Sequence, residues 1–107
     1  MIDQIQGAIQ RERLLDTAIR LVEQAAARGA ELIALPELFN CLGRFEAVVE
    51  AAEPIPGPTS DTMGSLAARL QITLCAGSIC EQSSTAGKGY NTSLLFGPEG
   101  KLLARYR

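Results

Sequence analysis

Carboxylates, lysines and thiols are the groups in this chain that could do covalent or acid–base chemistry, and the strangest placed of them is Glu37. In "GAELIALPELFNC" (Gly29–Cys41) it closes the uncharged run Leu32–Pro36 and is followed at once by Leu38 and Phe39. Glutamate is rarely buried unless paired. A carboxyl among such neighbours is expected to be partly desolvated, which disfavours its charged form and suits it to general-base work. The plainer possibility is a surface glutamate that caps a short helix after Pro36. Position and polarity leave both open.

The thiols are Cys41, Cys75 and Cys80, and there is no histidine. With no CxxC and no imidazole, a zinc set is not expected. An odd thiol count without a secretory signal points to reduced cysteines in the cytosol. Cys75 and Cys80 are five apart, so on one regular strand they face opposite sides and cannot pair. They read as small apolar strand residues, and Cys41 as a buried or loop thiol. Lys88 lies in "GKG", which lacks the Ser/Thr and the upstream glycine of a phosphate-binding loop. It reads as a solvated lysine.

The chain of 107 residues suits one small domain or part of a larger one. It is 47% hydrophobic and 21% charged, as expected of a soluble globular protein. A net charge of −2 and a pI near 5.1 argue against a nucleic-acid footprint. No apolar run approaches the roughly 18 residues of a membrane span, and "MIDQIQGAIQRER" lacks the apolar centre of a signal peptide. Neither nucleic acid nor a membrane is an expected partner, and a cytoplasmic location follows.

Several elements must position Glu37. Residues 9–28 predict an amphipathic helix, with Leu15, Ala18, Ile19, Val22, Ala25 and Ala26 on one face and Gly29 at the C′ position. Glu31–Leu35 predicts a strand, and the absence of alternation in "LIAL" predicts burial on both faces. Pro36 ends it, and a loop or short helix runs to Glu53. "PIPGPT" is rigid punctuation, after which Thr59 or Ser60 caps a helix with the stripe Met63, Leu66, Ala67 and Leu70. Strands follow over Ile72–Cys80, Tyr90–Phe96 and Lys101–Arg107, with a polar loop at Glu81–Gly89 and a tight turn at Gly97–Gly100. This order implies an α/β fold with an antiparallel hairpin. Ligands of α/β sheets bind beyond the carboxyl ends of strands, where Glu37 falls. Both ends read as cut, since no strand precedes the first helix and no turn follows the last strand. Open strand edges favour association.

"GAELIALPELF" resembles the glutamate motif of the nitrilase, or carbon–nitrogen hydrolase, superfamily. "PIPGPTSDTMGSLAARLQITLCAGSICE" resembles the segment that follows that motif, and "KGYNTSLLFGPEGKLLARYR" resembles the strand pair leading to the superfamily's lysine. The similarity runs in order from about Leu15 to Arg107 and is closest to the amidase-like branch. It implies that residues 1–107 are the N-terminal portion of a carbon–nitrogen hydrolase domain, part of a four-layer α-β-β-α sandwich. It implies hydrolysis of a small-molecule amide by a glutamate, a lysine and a cysteine, without metal or organic cofactor, in a homo-oligomer.

By motif match Glu37 is similar to the general base. The lysine ordinarily follows a "YR" such as Tyr106-Arg107, and the nucleophilic cysteine and a second supporting glutamate lie further downstream. None of the three cysteines here matches the nucleophile. Glu81 resembles a strand-end glutamate and is read as a structural hydrogen-bonding group. Tyr90 and Asn91 match a "YNT"-like strand start, with Asn91 read as satisfying loop backbone. Arg105 and Arg107 read as a strand-end charge cluster. The alternative to a catalytic domain is a non-catalytic α/β module that binds partners, and the 107-residue chain alone is expected to be inactive.

Overall fold

The computed structural model describes residues 4–107; Met1–Asp3, part of the segment read as lacking a signal-peptide centre, lie outside it. In chain order the elements are α1 (Gln4–Ala27), β1 (Leu32–Ala34), α2 (Phe45–Glu50), α3 (Pro58–Leu70), β2 (Thr73–Gln82), β3 (Gly89–Phe96) and β4 (Leu102–Tyr106). The expected order holds, with α2 occupying the segment that sequence left as loop or short helix. Helix α1 starts at Gln4 rather than Ile9. Ile5, Ala8 and Ile9 already carry the i, i+3, i+4 spacing into its first turns, so the periodicity reaches further toward the N-terminus than the expected start.

Helix α1 ends in a Schellman motif. Ala30 N–H donates to Ala25 C=O at 3.1 Å and Gly29 N–H to Ala26 C=O at 3.0 Å. Gly29 adopts φ 98°, which a glycine reaches without steric cost. The start of α3 departs from expectation. Its N-cap is Gly57, with Pro58 in the first turn and the Gly57 N–H donating to Ser60 Oγ at 2.8 Å. Thr59 does not cap the helix; its N–H instead donates to the Glu53 carboxylate at 2.8 Å. An acid from outside the helix thus satisfies an orphan N–H at the positive end of the helix dipole.

The four strands form one sheet in the order β1-β2-β3-β4, with β1 parallel to β2 and the other pairs antiparallel. Helices α1 and α3 pack on one face. Ala18 and Val22 of α1 and Met63, Leu66 and Ala67 of α3 meet Leu74, Ala76 and Ile79 of β2 and Leu94 and Phe96 of β3. Each large side chain buried there contributes about 1.5–3 kcal/mol. The opposite face is only partly covered. Leu32 on β1 is 67% exposed, so burial of "LIAL" on both faces is not what this chain shows. The helix layer lies on one side, and among the described residues no second layer covers β1 on the other. One helix layer on one sheet, with the other face uncovered at Leu32 and Ala34, is half of an α-β-β-α sandwich.

Strand β2 is bulged between Cys75 and Ser78. Cys75 pairs with Leu95 and Cys80 with Asn91, four residues apart on β3, so both cysteines lie on the same face. The extra residue reverses the parity expected of a regular strand. Their separation along the strand, about 14 Å at roughly 3.4 Å per residue over the four residues of β3, still keeps them from pairing. All three thiols are free.

Gly77 sits in the bulge at φ 51°. A Cβ there would lie 2.0 Å from the Pro36 carbonyl oxygen and 2.7 Å from that of Leu35. Only a residue without a side chain lets the chain leaving β1 cross β2 so closely. Gly77→Ala should therefore cost about 3 kcal/mol or more, through both clash and backbone strain. At Gly29, where a Cβ would meet nothing within 4 Å, the same change should cost about 1 kcal/mol. Denaturant unfolding of the two variants checks the ranking; equal losses would mean the bulge can yield.

Candidate active site

The turn after β1 crosses the bulge of β2, and three contacts hold it there. Leu38 N–H donates to Ser78 Oγ at 3.0 Å. Phe39 enters the core, and Asn40 is buried with its amide donating to Glu53 Oε2 at 2.9 Å and Thr59 Oγ1 at 3.0 Å. Leu38 itself has φ 50°, a left-handed conformation that costs a non-glycine residue about 1–2 kcal/mol. That strain is maintained because residues on both sides are anchored.

The result is that Glu37 points away from the core. It is exposed, on the open face of the sheet just past the end of β1, and Asn91 of β3 donates its side-chain amide to Glu37 Oε1. The apolar neighbours expected to desolvate it do not. Phe39 turns inward and Pro36 is itself exposed. Asn91 does not serve loop backbone, as expected, but this carboxylate; the sheet register, invisible in sequence, brings the two together across 54 positions. Around them lies an open hollow lined by Leu35, Cys75, Gly77, Ser78, Ser93, Tyr106 and Arg107. The end of β4 therefore reaches the Glu37 hollow.

Glu81 is 5% exposed and lies on the helix-bearing face, away from Glu37. Thr92 donates to its Oε1 at 2.8 Å, Arg107 donates to both oxygens at 3.0 and 3.1 Å, and Arg105 lies 3.6 Å away. The Arg107 hydrogen bonds hold the Glu81 carboxyl below the ordinary glutamate range, with Thr92 and the two positive charges adding to them against the cost of burial. Arg107 also covers the Tyr90 ring, 4.2 Å from its centroid. The structural role expected of Glu81 and the charge cluster at Arg105–Arg107 are thus one device that fastens the end of β4.

A second buried acid was missed in sequence. Glu53 is 3% exposed, accepts from Asn40, Thr59 N–H and Thr59 Oγ1, and lies 3.8 Å from Arg11. Its backbone also pairs with β2, through Cys80 C=O and Gln82 N–H. The clue was local: an acid beside "PIPGPT", just ahead of a helix start that lacks its own polar cap.

Neither Cys41 nor Cys80 lies in a setting that activates it. Burial pushes the Cys41 thiol up, with Arg11 opposing, and burial pushes Cys80 up with Cys41 adding to it. Lys88 is exposed on the β2–β3 loop. Among the described residues no cluster of His, Cys, Asp and Glu is arranged to hold a metal, and no helix is long and apolar enough to cross a membrane.

The carbon–nitrogen hydrolase family profile matches residues 2–107, and the chain belongs to that family. Among individual relatives it is similar to omega-amidase NIT2-B of Xenopus laevis, 42% identical over 93 residues that are 87% of this chain and 33% of the relative. Human omega-amidase NIT2 is 42% identical over 90 residues, 84% of this chain and 32% of that protein. Of solved structures, the nitrilase-superfamily protein Nit3 of Saccharomyces cerevisiae superposes with a TM-score of 0.77 at 31% identity, covering 92% of this chain and 38% of that one. The chain spans about a third of the length of the curated relatives it matches.

The Glu81 clamp has a consequence in acid. Its folded-state carboxyl is held below the ordinary range, so its contribution is complete above that range and is lost as pH falls through the depressed value. Between about pH 6 and about pH 3, unfolding free energy should fall more steeply in the wild type than in Glu81→Gln. Parallel curves would show that the clamp adds no net stability.

Proposed function

We propose that this chain is the N-terminal part of an amidase that converts a small amide to a carboxylate and ammonia, with Glu37 as its general base. The observation that carries the reading is the placement of Glu37. Its carboxylate is carried past the end of a strand onto the open sheet face, with one oxygen held by Asn91 and the turn behind it anchored at Ser78, Glu53 and Thr59. Family membership and the omega-amidase relatives support amide hydrolysis as the reaction class.

In this reading Glu37 takes the proton of a cysteine thiol, and the thiolate attacks the amide carbon. A lysine steadies the oxyanion of the tetrahedral intermediate. The C–N bond breaks as Glu37 returns the proton to the leaving nitrogen, which departs as ammonia. Water, losing a proton to Glu37, then adds to the thioester, and the thiol is expelled with the carboxylate product. The cysteine and lysine belong to the rest of the domain. Arg107 lines the Glu37 hollow and is clamped by Glu81, so a lysine following it would emerge beside the base. The free thiols suit a reducing compartment, and the reading puts the protein in the cytosol as a homo-oligomer acting on a small molecule.

The test uses the full-length parent protein and succinamate, a short ω-amide, with ammonia release as readout. Glu37→Gln should lower kcat/KM by about 10²- to 10⁴-fold with its circular dichroism unchanged. A loss below about tenfold would remove Glu37 from the role of base. The coding sequence should also show a lysine immediately after Arg107.

A further inference from the structure

We infer that Asn91 is the positioning residue for Glu37, selecting which of its two oxygens works on the substrate side. The inference rests on the reading of Glu37 as a base. Its footing is geometric. Asn91 lies on β3 opposite Cys80 of β2, in a paired strand, and its side-chain nitrogen donates to Oε1 of Glu37. A carboxylate oxygen can only accept, so the amide must present N–H rather than C=O to it.

An amide suits this task for three reasons. It donates without carrying a proton it could lose, so it cannot compete with the base for the proton in transit. It is neutral, so it holds the carboxylate without pairing off its charge as Arg107 does for Glu81. It also occupies Oε1 alone: among the described contacts Oε2 of Glu37 has no hydrogen-bond partner, and Glu37 itself lines the hollow. Glu81 and Glu53 show the contrast. Each accepts on both oxygens, as a structural acid does. Glu37 is held by one oxygen only, which fixes its rotamer and leaves the other for proton transfer. Glu37 is exposed, and among the described contacts the Asn91 amide is the one hydrogen bond that fixes its carboxylate.

The experiment compares Asn91→Ala and the near-isosteric Asn91→Asp in the full-length parent protein, using succinamate. Misplacing a catalytic group by about 1 Å costs about 100-fold. Both variants should lower kcat by about 10- to 100-fold with KM changed less than about threefold. Asn91→Asp should be the worse, because it sets a carboxylate against a carboxylate. A kcat within about twofold of wild type in either variant, or an effect confined to KM, overturns the proposal. A readout independent of turnover is the Asn91 side-chain amide signal in the ¹⁵N–¹H spectrum, which should move upfield in Glu37→Ala. If the signal does not move, the contact is absent and the proposal fails. If the signal moves but the wild-type parent releases no ammonia, the amidase reading fails and the contact is structural only, which also overturns the positioning role.

Discussion

The geometry of the molecule turns on one close approach, the Pro36 carbonyl passing over the backbone of Gly77. Strand β1 is only three residues long and must deliver its successor across β2 at once. The crossing is possible because β2 takes in an extra residue there and that residue has no Cβ. The same bulge turns Ser78 so that its hydroxyl receives Leu38 N–H. One local irregularity thus makes room for the turn, supplies its first anchor, and aims Glu37 at the open face. Bulges concentrate at functional sites because they re-aim a side chain without dismantling the sheet around it.

Two buried carboxylates hold the periphery of this arrangement, and they do different work. Glu53 collects donors from the Glu37 turn, from the start of α3 and, more distantly, from Arg11 of α1, and its backbone extends the β2 edge. It ties three parts of the chain that are far apart in sequence. Glu81 collects Thr92 and two arginines of the last strand segment. Such acids cost free energy to desolvate and are tolerated because every oxygen is matched by donors. No buried side-chain nitrogen or oxygen among the described residues is without a partner.

How much of this could be read in the sequence depends on the kind of signal. The helix stripe of α3 and the strand pair around Gly97–Gly100 are local periodicities, and they fall where expected. Gly29 as the terminator of α1 was legible because a positive φ after a helix has few chemical solutions. Glu37 was legible as an anomaly, an acid at the end of an apolar run. Its surroundings were not. The bulge is a property of the pairing of β2 with β3, and "CAGS" shows nothing of it beyond a glycine. The partner of Asn91 is not legible locally, because it lies 54 residues away. Burial of "LIAL" was overestimated because an apolar strand reports what a face is suited to cover, and not which layer covers it.

That last difference bears on how the site works. Leu32, Ala34 and Cys75 share the open face with Glu37, and Tyr106 stands on it too, 79% exposed. Apolar side chains in such numbers on a sheet face are matched to a covering layer rather than to water. A layer over that face would enclose Glu37 with it, since Glu37 is exposed and stands on the same side. A carboxylate enclosed in this way interacts more strongly with each remaining donor, because water no longer competes. The single amide of Asn91 is the one side-chain donor to Glu37 among the described residues. Covering the face would therefore concentrate the hold on the Glu37 carboxylate in that contact.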